Sequence, residues 1–504
     1  MKKRFSEELP PEPFSFIKSI SEQGYSLSTA LADLIDNSIT ADASRVEILS
    51  DVSSEPFRIF IADNGNGMTE QELHLNMRFP SNNPDNLRSS PDLGRFGLGM
   101  KTASFSQTRC FTVLSRSQGS AVYAARTWDV DYLRQTGNWS IIINTSEEIE
   151  CLLQEYRNLS EEYIGHDKDF MPGTIIIWCG LYKIERLRND MSFRKGALAD
   201  ELHDETADHL GMVFHRFLDS KTSRLTIRIN NVLVNSFDPF PEKEPDLLAL
   251  AGSFKIHEGD PVKIKGYVLP ARSIKESKEG ISVWTSGKRS LTDMEGIYVY
   301  RNGRLIISGG WNRLLKKSPQ FQLGRLKVDI GNKLDALFHL NVSKSSLKIP
   351  FELKQAFLRA VAEIKEESYK EYRNRINNEL IEKGKKAGAE PLLIKVITDK
   401  GAEYRINPEF SLIQEIEPHL DHSSHRLFNT LIRAVNNQLK LILGYEDNQG
   451  SRELNTVVDE ETSKDIIAYM EMFQKKNYSK DRVLNTLYSI FRKEEVDIIL
   501  NKKI

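Results

Sequence analysis

The sequence predicts an α+β fold spread over several domains, and three observations lead there. The chain has 504 residues, more than one hydrophobic core ordinarily serves; at roughly 150 residues per domain it divides into about three. Over its first 180 residues, short β-rich runs ("RVEILS", "FRIFIADN", "CFTVLSR", "GTIIIWCG") alternate with helical patterns. Glycine clusters punctuate that stretch, as in a mixed α/β domain.

Composition narrows the class. With 39% hydrophobic and 28% charged residues the chain reads as soluble and globular, without a membrane span. Its opening, "MKKRFSEELPPEPF", is basic but has no apolar run behind it, so it does not read as a secretory leader. The three cysteines, Cys110, Cys151 and Cys179, are odd in number and show no paired spacing. Reduced thiols and a cytoplasmic location are therefore expected. The ten histidines, among them His203, His209, His215, His419, His422 and His425, lack Cys partners or an HExxH arrangement and read as helix-surface residues. The net charge of −2 means that any nucleic-acid affinity needs a local basic surface.

The first domain is placed at 1–180. In "LADLIDNSITADA", Leu31, Leu34, Ile35 and Ile39 recur at helical spacing while Asp33 and Asn37 lie one turn apart on a shared side, with Asp36 beside them. Alone, such a pair is an ordinary solvated face. Next comes "IFIADNGNGM", a β-like run ending in Asp63, Gly65 and Gly67, the pattern D-x-G-x-G. Glycine lets the backbone pass close beneath a flat ligand, and the carboxylate can accept a hydrogen bond from an exocyclic amine, although NG pairs also make plain turns. A long polar stretch, "TEQELHLNMRFPSNNPDNLRSSPD", reads as a mobile lid. In "GRFGLGMKTASF", Gly94, Gly97 and Gly99 precede a helix whose free N–H groups and dipole suit an anion, with Lys101 and Thr102 adding a cation and a hydroxyl. Its spacing, G-x-x-G-x-G, matches neither the P-loop nor G-x-G-x-x-G.

A second α/β domain is expected over 181–350. It opens on a connecting helix with Leu210, Val213, Phe214 and Phe217 on one face and continues through "RLTIRINNVLVNSF", "VKIKGYVLP", "GIYVYRNGRLII" and "ALFHLNVSKSSL". Arg301 and Arg304 flank an Asn-Gly pair and are expected at a hairpin tip rather than in chemistry. Residues 351–390 read as one long amphipathic helix with the stripe Phe357, Val361, Ile364, Tyr372, Ile376 and Leu380; its mixed charges suit packing better than a nucleic-acid arm. Residues 391–504 open with a hairpin, "LLIKVITDKGAEYRI", and continue as helices without a motif that carries chemistry.

The acid–amide helix, the D-x-G-x-G strand end and the G-x-x-G-x-G turn, in that order, resemble the GHKL ATPases, the superfamily of the gyrase B subunit, the heat-shock chaperone, sensor histidine kinases and MutL. "FGLGMKTASF" stands where MutL-like chains carry F-R-G-E-A, and the nearest resemblance is to prokaryotic MORC-like proteins, over about 14–350. That resemblance implies a Bergerat-type ATP-binding α/β sandwich, a transducer-like second domain, and ATP with Mg²⁺ as cofactors. It casts Asp33 as the general base, Asn37 as the magnesium ligand and Asp63, with Gly65 and Gly67, as the adenine reader. Gly94, Gly97 and Gly99 would form the phosphate loop, assisted by Lys101 and Thr102, and Thr174 of "PGTIIIW" would be the strand threonine near adenine. Lys344 of "LNVSKSSLKIP" would reach the γ-phosphate, with Lys348 as the alternative.

One departure matters: the family's base is usually glutamate, and aspartate is one methylene shorter. A displacement of about 1 Å can cost on the order of a hundredfold in rate, so slow turnover is expected. Asp36 is not a substitute, since neighbours on a helix point about 100° apart. The implied behaviour is an ATP-dependent homodimer acting as a conformational switch, with DNA or a protein as partner and no membrane association. A chaperone-like scaffold working on protein clients and a nucleotide sensor without turnover are the alternatives.

Overall fold

The computed structural model describes residues 9–502 apart from 10, 23, 80–97, 165–170, 188–189, 219–224, 258–259, 282, 332–333, 335–336, 339–347, 387–390, 399–400, 444–459, 476–477 and 492. The chain forms two compact units, Met1–Tyr372 and Arg373–Ile504. The architecture is the expected mixture of helices and largely antiparallel sheets.

Two sheets organise the first unit. Strands β1 (Arg45–Asp51), β2 (Arg58–Asp63), β3 (Thr108–Ser115), β4 (Ala124–Asp129), β5 (Ile142–Ile143), β6 (Thr174–Leu181), β7 (Thr226–Ile229) and β8 (Val232–Leu233) lie in the order β5-β4-β3-β6-β2-β1-β7-β8. Neighbours are antiparallel except β1 and β7. Period-two alternation sends Ile59, Ile61, Ile176 and Trp178 to one face and Phe60, Ala62, Ile175 and Ile177 to the other. Helices Leu27–Thr40 and Gly99–Phe105 cover the first face; helix Ser146–Ile164 covers the second with Leu153 and Tyr156. Residues 226–233, which the sequence groups with the second domain, complete this first sheet through the parallel pair Val46 and Ile227. A run such as "RLTIRI" states that it is a strand, not which sheet it joins.

The second sheet contains β9 (Leu248–Ala249), β10 (Ser253–His257), β11 (Asp260–Val268), β12 (Gly296–Arg301), β13 (Arg304–Ser308) and β14 (Gly324–Ile330), in the order β10-β11-β14-β12-β13 with β9 on β11. Strands β12 and β13 make a tight hairpin through Asn302 and Gly303, whose positive φ angles of 48° and 86° fit a two-residue turn. Helix Phe351–Lys386 seats Leu353, Phe357, Val361 and Ile364 on this sheet. Tyr372 is half-buried; the side chains of Ile376 and Leu380 lie outside the described residues. The seat is a glycine position: a Cβ on Gly324 would fall 2.6 Å from Ile364 Cγ2. Gly324→Val is therefore expected to destabilise the first unit by about 1–3 kcal/mol through overpacking. Thermal denaturation followed by circular dichroism reads this, and an unchanged melting temperature would show that the helix is not seated there.

The second unit pairs β15 (Leu393–Thr398) with β16 (Gly401–Ile406) as the expected antiparallel hairpin. Among the described residues five α-helices follow, and Ile466, Val483, Leu487, Phe491, Val496 and Ile499 form a core among the last three. Among the described residues, no helix is long and apolar enough to cross a membrane, and no cluster of three or more His, Cys, Asp or Glu could hold a metal ion.

Candidate functional site

The acid–amide helix starts where Ser26 and Thr29 cap each other reciprocally: the Thr29 N–H donates to Ser26 Oγ at 3.2 Å and the Ser26 N–H to Thr29 Oγ1 at 2.9 Å. Ala30, Leu31, Leu34 and Ile35 are buried against the first sheet. The polar residues divide: Asn37 is exposed, whereas Asp33 and Asp36 are only 5% and 1% exposed. This is not a solvated face, because buried carboxylates need partners. The Tyr25 hydroxyl donates to Asp33 Oδ2 at 2.9 Å. Arg304, at the first position of β13, donates through Nε to Asp36 Oδ1 at 2.6 Å and approaches Asp33 Oδ1 through Nη2 at 3.5 Å. Burial, then the neighbouring Asp33 charge, pushes the Tyr25 phenol well above its ordinary range. Arg304 does flank a hairpin turn, as the sequence indicates, but it is 5% exposed and points into the first domain.

Asp63 ends β2 beneath the same helix. Its Oδ2 accepts from Ser38 Oγ at 3.0 Å and its Oδ1 from the Gly65 N–H at 2.9 Å. Burial nevertheless dominates and raises the Asp63 carboxyl above its ordinary pKa, against the pull of those two donors. Thr174 stands directly across from Asp63 on β6, and its hydroxyl pairs with Ser115 Oγ at 2.9 Å. Ser115 in turn accepts the Met68 N–H at 2.9 Å. The glycines are needed for a nearer reason than a ligand. A Cβ on Gly67 (φ +63°) would lie 1.9 Å from the Arg116 carbonyl oxygen, and one on Gly65 2.7 Å from that of Ala41. They let the loop press onto neighbouring backbone and so hold Asp63 in place.

At the helix after the glycine turn, Gly99 opens Gly99–Phe105 and has open space around its would-be Cβ. Lys101 is 1% exposed; its ammonium donates to the Asn76 carbonyl at 2.7 Å, lies 5.4 Å from the centre of the Phe79 ring, and is pushed down to about 7 by burial. The Thr102 hydroxyl is within reach of the Leu98 and Gly99 carbonyls, at 3.1 Å each. Gly94, Gly97 and Lys344 lie outside the described residues. Lys348 is exposed, and its backbone N–H donates to the Phe338 carbonyl at 3.0 Å.

The structure thus brings Asp33, Asn37, Asp63 and Thr174 onto one helix and the two strands beneath it. Sequence reasoning did not single out Tyr25, Ser38 or Ser115, and it set Arg304 aside as a hairpin-tip residue. Ser38 had a usable signal, since it follows Asn37 directly and sits one turn beyond Leu34 on the helix side that meets β2.

Residues 25–165 match the family model described as histidine kinase-, DNA gyrase B-, and HSP90-like ATPase. The match covers the acid–amide helix, the D-x-G-x-G loop and the glycine turn, and it supports a GHKL-type ATPase domain over this part of the chain. No curated protein matches the chain.

Proposed function

We propose that the protein is an ATP-binding, slowly hydrolysing conformational switch that closes into a homodimer, with DNA as the partner, in a MORC-like or defence setting. The observation that carries this reading is the split of one helix: Asn37 exposed, Asp33 buried with donors on both carboxylate oxygens, and Asp63 fixed at the strand end below. The donor set suits a magnesium nucleotide. Asn37 offers a hard amide oxygen for Mg²⁺, which, when bound, neutralises charge on the phosphate oxygens. Asp63 accepts from the adenine amine, with Thr174 alongside it and Gly65 and Gly67 shaping the loop. Gly94, Gly97 and Gly99 cradle phosphate, with Lys101 and Thr102 at the start of the following helix. Asp33 takes the proton from the attacking water, and its short side chain makes that step slow. Lys344, or Lys348, supplies a cation from the second domain to the γ-phosphate.

Dimerisation is tested by size-exclusion chromatography with light scattering, with and without a non-hydrolysable ATP analogue. The mass is expected to double with the analogue; a mass unchanged at saturating analogue contradicts the switch. A DNA affinity that rises with the analogue and falls with salt supports a clamp on DNA, whereas binding that ignores DNA and survives high salt favours a scaffold for protein clients.

A further inference from the structure

Arg304 belongs to the second sheet, yet its side chain ends among the acids of the first domain. Two carboxylates one helical turn apart, Asp33 and Asp36, are buried together, and Arg304 is the cation whose hydrogen bonds join them. Buried carboxylates need hydrogen-bond partners, and a cation that donates to both ties the two together. Arginine suits the task because it stays charged and presents its donors in a rigid fork. The fork is used unequally: Nε takes Asp36 at 2.6 Å and Nη2 reaches Asp33 at 3.5 Å, while Nη1 points to the Leu305 carbonyl at 3.4 Å. The shorter bond anchors the arm on Asp36; the longer one leaves Asp33 oriented between Arg304 and Tyr25. The Phe214 ring lies 5.8 Å from the guanidinium, and His209 is held down to about 4 by burial and then by the Arg304 and Arg289 charges.

We infer that Arg304 is a positioning residue: through it the second domain holds Asp33 oriented for proton abstraction, so a shift of that domain's hairpin changes the rate of hydrolysis without touching the nucleotide. Asp36 is the anchor of that arm rather than a second base. This rests on the reading of Asp33 as the base.

The test compares wild type, Arg304→Lys, Arg304→Met and Asp33→Asn, measuring Mg-ATP affinity by calorimetry and kcat by phosphate release at neutral pH. Arg304→Met is expected to bind nucleotide within about threefold of wild type. At neutral pH it should lose about tenfold or more in kcat, because Asp33 Oδ1 loses the donor that orients it. Arg304→Lys falls between the two. If Arg304→Met does not fold, the double variant Arg304→Met/Asp36→Asn, with one carboxylate fewer, carries the same expectation. A kcat in Arg304→Met within about twofold of wild type, or an Arg304→Lys no faster than Arg304→Met, overturns the role of Arg304. Wild-type turnover in Asp33→Asn overturns the base assignment itself, so the two failures are distinguishable.

Discussion

Asp33→Asn is expected to lose about 10²–10⁴-fold in ATP turnover, the range associated with removing a positioned general base, while nucleotide affinity stays within about threefold. The substitution is nearly isosteric: the amide oxygen can take the place of Oδ1 and accept from Arg304, which approaches Asp33 at 3.5 Å, while the amide N–H can donate to the Tyr25 hydroxyl oxygen in place of Oδ2, 2.9 Å away. Fold and pocket are therefore retained, and what disappears is the ability to take a proton. Asp36 does not compensate, because it is turned into the protein and its Oδ1 is committed to Arg304 at 2.6 Å. A phosphate-release assay on folded variant decides the matter: hydrolysis as fast as in wild type removes Asp33 from the role.

Lys101→Met is expected to change how stability depends on pH. The Lys101 ammonium is 1% exposed and pushed down to about 7 by burial, from the ordinary lysine value of 10.5. Between those two values the unfolded chain holds more protons than the folded one, so stability rises with pH across about 7 to 10.5 and is lowest where the buried amine is charged. Methionine, of similar length and uncharged, removes that slope. At pH 7 and below, the variant should gain on the order of a few kcal/mol from the absent desolvation, less about 1 kcal/mol for the Asn76 carbonyl that loses its donor. Urea denaturation at several pH values from 6 to 10 reads this, and parallel pH profiles for wild type and Lys101→Met would contradict it.

Much of the fold follows from local pattern. The alternation of "FRIFIAD" gives β2 with Ile59 and Ile61 on one face and Phe60 and Ala62 on the other, and the Asn302-Gly303 pair marks the β12–β13 hairpin. What pattern does not carry is long-range assignment. Strand β7 looks like a neighbour of the second sheet in sequence but closes the first, because parallel pairing with β1 depends on a crossover and not on adjacency. The site divides in the same way. Asp33, Asn37 and Asp63 are legible because their spacing lies within one helix and one strand end. Arg304 is not, because its partners Asp33 and Asp36 lie more than 250 residues earlier, and a hairpin-tip arginine ordinarily faces water. Gly65 and Gly67 are legible as glycines, but their reason, the carbonyls of Ala41 and Arg116, is tertiary.

The central claim, that the helix bearing Asp33 and Asn37 and the strand end bearing Asp63 form one pocket for a magnesium-chelated adenine nucleotide, is tested most directly by isothermal titration calorimetry of Mg-ATP into wild type and Asn37→Ala. Saturable binding in wild type, lost in Asn37→Ala, is the predicted result. No heat and no saturation in folded wild-type protein, even at about 1 mM nucleotide, would contradict it.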